Sequence, residues 1–256
     1  MPQNLVRVFC LAVLLTCVSG APVVKAQDTL ALSVPTHTAI VSQPSPSCRI
    51  IYLGFVGALE TSDDKYSGIV QIRQTLQDKD YSDVCAKSFT PYTWTEGRDW
   101  LLKHFPAHSG VLAAQELGNA PRVILLGHSM GGWAMLAVAR ELSSRDIPVE
   151  LTIQVDSVGI TDHTIPRNVK SAAIFHANDV LMFMTTKHVR REDPQHTKIV
   201  ADVLVPGAGH ISVTRDPQIR ELVMETVQDL RSGFAAQATS TGTPVVSEST
   251  RGIQQK

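Results

Sequence analysis

The stretch VILLGHSMGGWAM, residues 123–135, constrains this chain more than any other. Residues 123–126 form a short apolar run, partly β-branched, of the kind that makes a strand covered on both faces. Residues 133–142 are alanine-rich and suit a helix. Only His-Ser-Met between glycines separates the two, so strand and helix must meet in a tight corner at Ser129. Gly127 and Gly131 stand two residues to either side, where a Cβ would strike neighbouring backbone if the corner held the serine in a strained conformation.

The rest of the chain supplies the strands and helices that such a corner needs. Strand-like runs at 49–56, 84–92, 151–155, 169–175 and 199–205 alternate with helical patterns. Ile69, Ile72 and Leu76 recur at helical spacing within 67–79, and further helices are expected over 96–105 and 111–117. A last helix opens with Asp216 as cap and Pro217 in its first turn, carrying Ile219, Leu222, Val223, Thr226, Val227 and Leu230 on one face. Strands alternating with helices imply βαβ crossovers, hence an α/β fold: a mostly parallel sheet with helices on both faces. The folded domain is expected over 48–232. Residues 27–47 and 233–256 are rich in Pro, Ser, Thr and Gln with little periodicity, and are expected to be a flexible N-terminal segment and a disordered C-terminal tail.

With 256 residues, 43% hydrophobic and 18% charged, the chain can bury one sizeable core. Its formal net charge of -1 argues against a nucleic-acid partner, which would require a concentrated positive face. Residues 1–26 read as a signal peptide: Arg7, an apolar core over 8–18, and the cleavage-like Val24-Lys25-Ala26, with Ser19-Gly20-Ala21 as an alternative site. The apolar core falls short of the roughly 20 residues that span a bilayer, so no stable membrane span is expected once the signal is removed. The protein is thus expected to be exported, periplasmic or secreted. Cys10 and Cys17 leave with the signal. Cys48 and Cys85 remain, each just before a strand-like run, and in an oxidising compartment they can form a disulfide if those strands are neighbours.

Ligands of parallel sheets bind beyond the carboxyl ends of the strands. Read in order, those ends present Gly54-Phe55-Val56, Ser129, Asp156, Asp179 and His210. A serine hydroxyl is a weak nucleophile at neutral pH; it needs a base in hydrogen-bond contact, and the base needs an orienting carboxylate. His210, in VLVPGAGHISV, follows the final strand on a glycine-loosened loop.

GHSMGG after an apolar strand, an aspartate after a later strand, and GAGH before the last helix together resemble the α/β-hydrolase superfamily, in particular its lipase, esterase and thioesterase-like members. The resemblance covers roughly residues 48–231 and implies a reduced sheet, because no room is left for the first two strands of larger relatives. Only residues 157–168 separate Asp156 from the next strand, too few for a large cap. The resemblance assigns Ser129 as nucleophile and His210 as general base and acid. The superfamily's usual acid position points to Asp179, whereas LTIQVDSVG resembles lipase-like relatives whose acid would be Asp156; Asp156 is favoured and Asp179 kept as the alternative. Oxyanion donors are expected at the backbone amides of Met130 and, in the loop after the first strand, Phe55.

The implied substrate is a small-molecule or lipid-like carboxylic ester or thioester, with neither cofactor nor metal. Residues 180–184, VLMFM, are a candidate wall for an acyl pocket. His128 is expected to pack rather than react, and His163, His176, His188 and His196 lack the close spacing of a zinc site. Arg190, Arg191, Glu192 and Asp193 read as a solvated face. Two other classes fit less of the pattern: a binding protein that keeps the fold without turnover, and a metal-assisted hydrolase using the scattered histidines.

Overall fold

A computed structural model describes residues 48–105, 120–159, 163–178, 185–186 and 188–240. In chain order its elements are β1 (Ile50–Phe55), α1 (Gly68–Asp78), β2 (Val84–Phe89), α2 (Trp94–Leu102), β3 (Arg122–His128), α3 (Met130–Ser143), β4 (Val149–Val155), β5 (Thr164–Ile165), β6 (Val169–Ala177), β7 (Arg190–Arg191), β8 (Lys198–Val205) and α4 (Pro217–Ser240). Six strands form one sheet in the order β2-β1-β3-β4-β6-β8, with every neighbouring pair parallel. This is a reduced α/β-hydrolase fold, and among the described residues between β4 and β6 there is no helix to form a cap.

The sheet has two covered faces because its central strands are apolar on both. All six residues of β1 are buried. Successive side chains point to opposite faces. Ile51, Leu53 and Phe55 therefore join Val123, Leu125, Leu101 of α2, and Met135, Val138 and Leu142 of α3. Ile50 and Tyr52 join Ile124, Leu126, Ile69 and Ile72 of α1, and Ile219, Val223 and Val227 of α4. Each such fully buried side chain contributes about 1.5–3 kcal/mol of transfer free energy. At the edge the pattern changes: β8, KIVADVLV, alternates exposed and half-buried residues, its exposed face carrying Lys198, Val200, Asp202 and Leu204.

Several boundaries differ from the sequence-based expectation for physical reasons. The second strand stops at Phe89 rather than residue 92, because Pro91 has no N–H for the ladder and instead opens a 3-10 turn, Pro91–Thr93. The last helix passes the expected boundary at 232 and runs to Ser240. Phe234 continues the apolar stripe of Ile219, Val223, Val227 and Leu230; it is buried, with the Arg49 guanidinium 3.8 Å above its ring. The first turn is as expected: the Asp216 carboxylate accepts from the Gln218 amide at 2.9 Å. Arg190 and Arg191 are exposed but also form a short parallel ladder with Thr164 and Ile165, which the sequence did not suggest. The helix expected at 111–117, and everything before residue 48, lie outside the described residues.

Cys48 and Cys85 form the expected disulfide, with Cα atoms 5.5 Å apart. It lies at the amino ends of the neighbouring strands β1 and β2. Among the described residues no helix is long and apolar enough to cross a membrane.

Candidate active site

β3 ends at His128 and α3 begins at Met130, so Ser129 alone makes the corner. Its backbone sits at φ 54° and ψ −127°, a conformation that costs a residue bearing a Cβ about 1–3 kcal/mol. Three hydrogen bonds hold it there. The Ser129 amide donates to the Val155 carbonyl at 3.0 Å, and its own carbonyl accepts from the amides of Gly132 (2.9 Å) and Val158 (3.0 Å). Glycine is required on both sides: a Cβ on Gly127 would lie 2.3 Å from the Gly131 carbonyl oxygen, and one on Gly131 would lie 2.3 Å from that of Phe55.

Asp156 is the residue immediately beyond β4, also at positive φ, 44°. Its amide donates to the Phe175 carbonyl at 2.7 Å, which turns the side chain back over the sheet end. The carboxylate is fully buried: Oδ1 accepts from the Ala177 amide at 3.1 Å and Oδ2 lies 2.5 Å from Nδ1 of His210. A buried carboxylate needs such partners to offset its lost hydration.

His210 arrives from the loop after β8. That loop is tied down by the Asn178 amide donating to the Ala208 carbonyl (3.0 Å) and by the Val213 amide donating to that of Gly209 (3.0 Å). Nε2 of His210 stands 3.0 Å from Oγ of Ser129. With Asp156 accepting from Nδ1–H, the lone pair of Nε2 faces the serine hydroxyl, so Ser129 donates to His210. The structure thus brings together Ser129, His210 and Asp156 from three strand ends. Asp179 and the segment 180–184 lie outside the described residues.

Met130 is the first residue of α3, and its amide is one that a helix leaves without an internal acceptor. Phe55 differs from expectation. It is the last residue of β1, in register with Phe89 and Gly127, rather than part of the loop beyond, and the next amide, that of Val56, donates to the Phe89 carbonyl at 3.0 Å. The Phe55–Val56 backbone nevertheless abuts Gly131 at the start of α3.

Sequence reasoning missed Glu60. It follows β1 and turns inward, with Oε1 2.7 Å from Nδ1 of His128 and its side chain only 8% exposed. Burial works to raise its carboxyl, but the hydrogen bond and positive charge of His128 outweigh that and hold it below the ordinary value. The available signal was its place in the loop beyond the carboxyl end of β1, where site residues of parallel sheets gather.

Among the described residues, the metal-ligand types that converge are Cys48, Cys85 and His104, and the two sulfurs are bonded to each other. His163, His176, His188 and His196 do not converge; His176 pairs with Asp202 at 3.0 Å. A depression of about 350 Å³ bordered by Glu150, Lys170 and Asp229 lies at the opposite, amino end of β4 and β6 and has no part in this site.

A parallel sheet of the α/β-hydrolase kind thus carries a serine, a histidine and an aspartate that meet at its carboxyl edge. No protein-family profile matches the chain, and no curated protein does. Similar solved structures include Est1E from Butyrivibrio proteoclasticus, at 16% identity and a TM-score of 0.41, covering 73% of this chain and 91% of that one. The RedJ thioesterase from the prodiginine biosynthetic pathway in Streptomyces coelicolor is 12% identical, with a TM-score of 0.41 and 78% and 90% covered. XC6422 from Xanthomonas campestris, described as a serine hydrolase without lid, is 12% identical, with a TM-score of 0.41 and 73% and 85% covered. Each is a distant likeness.

Proposed function

We propose that this protein is an exported serine hydrolase that cleaves a carboxylic ester or thioester through an acyl-enzyme. The observation that carries the reading is the continuous hydrogen-bond chain from Ser129 through His210 to a buried Asp156. Ser129 Oγ attacks the acyl carbon while Nε2 of His210 takes its proton, and Asp156 stabilises the imidazolium that forms. The amide of Met130, at the start of α3, is the donor for the developing oxyanion, worth about 3–4 kcal/mol. His210 then protonates the leaving alcohol or thiol as its bond to the acyl carbon breaks. In the second half, His210 deprotonates a water that attacks the acyl-enzyme, releasing the acid and restoring Ser129.

Export rests on the signal-like residues 1–26, with support from the Cys48–Cys85 bridge, since such bonds persist in oxidising compartments. The mature chain would then carry a segment from 27 to 47 ahead of its folded domain. The test is hydrolysis of p-nitrophenyl acyl esters of increasing chain length. Activity that survives a chelator supports the reading, and the chain-length profile sorts lipid-like from short acyl substrates; turnover abolished by chelation would overturn it.

A further inference from the structure

His128 and Glu60 lie outside the Ser129–His210–Asp156 chain and are nevertheless wired to it. While Nδ1 of His128 faces Oε1 of Glu60 at 2.7 Å, its Nε2 lies 2.8 Å from the main-chain oxygen of His210. A carbonyl oxygen only accepts, so Nε2 carries a proton. A second proton lies between Nδ1 and Oε1, because an imidazole lone pair facing a carboxylate would be repelled. The pair is therefore neutral overall, whether as imidazolium and carboxylate or as imidazole and carboxylic acid.

Burial makes this node rigid. His128 is fully buried and Glu60 nearly so, and hydrogen bonds in such surroundings are strong and costly to leave unmade. The backbone makes room for it: a Cβ on Gly57 would lie 3.0 Å from both Glu60 Oε1 and His128 Nδ1. The node joins the loop after β1, the residue preceding Ser129, and the loop that carries His210. The rings of His128 and His210 are 4.8 Å apart between centroids. An unpaired imidazolium at His128 would oppose the positive charge that His210 acquires on taking the serine proton; the Glu60 carboxylate cancels it.

We propose that Glu60 and His128 are positioning residues that clamp the main chain of His210 while Asp156 orients its ring, keeping Nε2 in register with Ser129. The proposal rests on the acyl-transfer reading of Ser129. His210 belongs to a loop, where backbone position is not set by a sheet or helix ladder, and a misplacement of about 1 Å at a reacting group lowers rates by roughly a hundredfold.

The test uses the full chain with Glu60→Met, which keeps side-chain length without polarity, and Glu60→Gln, whose amide can donate to Nδ1 and leave the bond to the His210 carbonyl intact. Steady-state ester hydrolysis is measured beside NMR of 15N-labelled histidine rings. In Glu60→Met, kcat is expected to fall by about ten- to a hundredfold with KM little changed, and the His210 ring signals to move. Glu60→Gln is expected to recover kcat to within a few-fold and to restore those signals. Wild-type kcat and unmoved His210 signals in Glu60→Met would overturn the clamp. A wild-type protein that hydrolyses no ester would sink the acyl-transfer reading instead; the ring signals then decide the clamp alone, movement supporting it and constancy overturning it. Should Glu60→Met not fold by circular dichroism, His128→Met takes its place with the same readouts.

Discussion

At the amino ends of β1 and β2 the chain is fastened. Cys48 is bonded to Cys85, and the Arg231 guanidinium from α4 grips both carboxylate oxygens of Asp83 at 3.0 and 3.1 Å. At the carboxyl ends of β3 and β4 the chain does the reverse. Positive φ alone does not separate the two ends, since Asp80 and Asp146 in the turns leading into β2 and β4 also have it. What sets this end apart is the φ 54°, ψ −127° corner at Ser129 and the titratable groups of Glu60, His128 and Asp156, put where water scarcely reaches. A disulfide closing a loop of 37 residues contributes about 4 kcal/mol, comparable with the roughly 1–3 kcal/mol that each strained residue costs. One end of the sheet thus offsets what the other demands. The difference teaches where to look for chemistry: the end that opposes folding is the end that brings Ser129, His210 and Asp156 together.

The sharpest way to break this comparison is at Ser129. Replacing it by alanine should lower ester turnover by about a millionfold while leaving the melting temperature nearly unchanged. Ser129→Gly should be equally inactive but more stable by about 1 kcal/mol, because glycine accepts φ 54° freely; a thermal melt showing destabilisation would contradict the strain attributed to this corner. Next in size, Asp156→Asn should reduce kcat by about ten-thousandfold through the wrong His210 tautomer, whereas Asp179→Asn should leave it within a few-fold; the opposite ranking in initial-rate assays would move the acid to Asp179.

At the fastened end the expectation reverses. Cys48→Ser with Cys85→Ser should cost about 4 kcal/mol in urea unfolding and leave kcat/KM per folded molecule unchanged. The smallest effect concerns acid. The Glu60 carboxyl is lowered in the folded state, so the stability it contributes is present above its ordinary value of 4.5 and is lost as pH falls through the lower folded value. Melting temperature should therefore drop more steeply below pH 4.5 in the wild type than in Glu60→Gln.

Much of this arrangement was legible in the sequence because its causes are local. Residues 123–126 are a short, partly β-branched apolar run of the kind that makes an inner strand, and Gly127 and Gly131 mark two positions at the corner where a Cβ would clash with backbone. The acid was only half legible: LTIQVDSVG favours Asp156, directly after such a strand, while the position after a later strand keeps Asp179 as an alternative. Glu60 was not legible, for its loop, GALETSDDK, carries several acidic residues and nothing local says which of them turns inward; its partner His128 lies 68 residues away. The end of α4 was hidden for a similar reason. FAAQATS reads as tail, and only the packing of Phe234 against the sheet face extends the helix through it.

Central to the account is that the Ser129 hydroxyl is activated by His210. The direct measurement is exposure of the folded full-length protein to a fluorophosphonate, followed by peptide mass mapping. A single adduct on Ser129, absent from His210→Gln and indifferent to chelator, is the expected result. No adduct, or one on another residue, would contradict it.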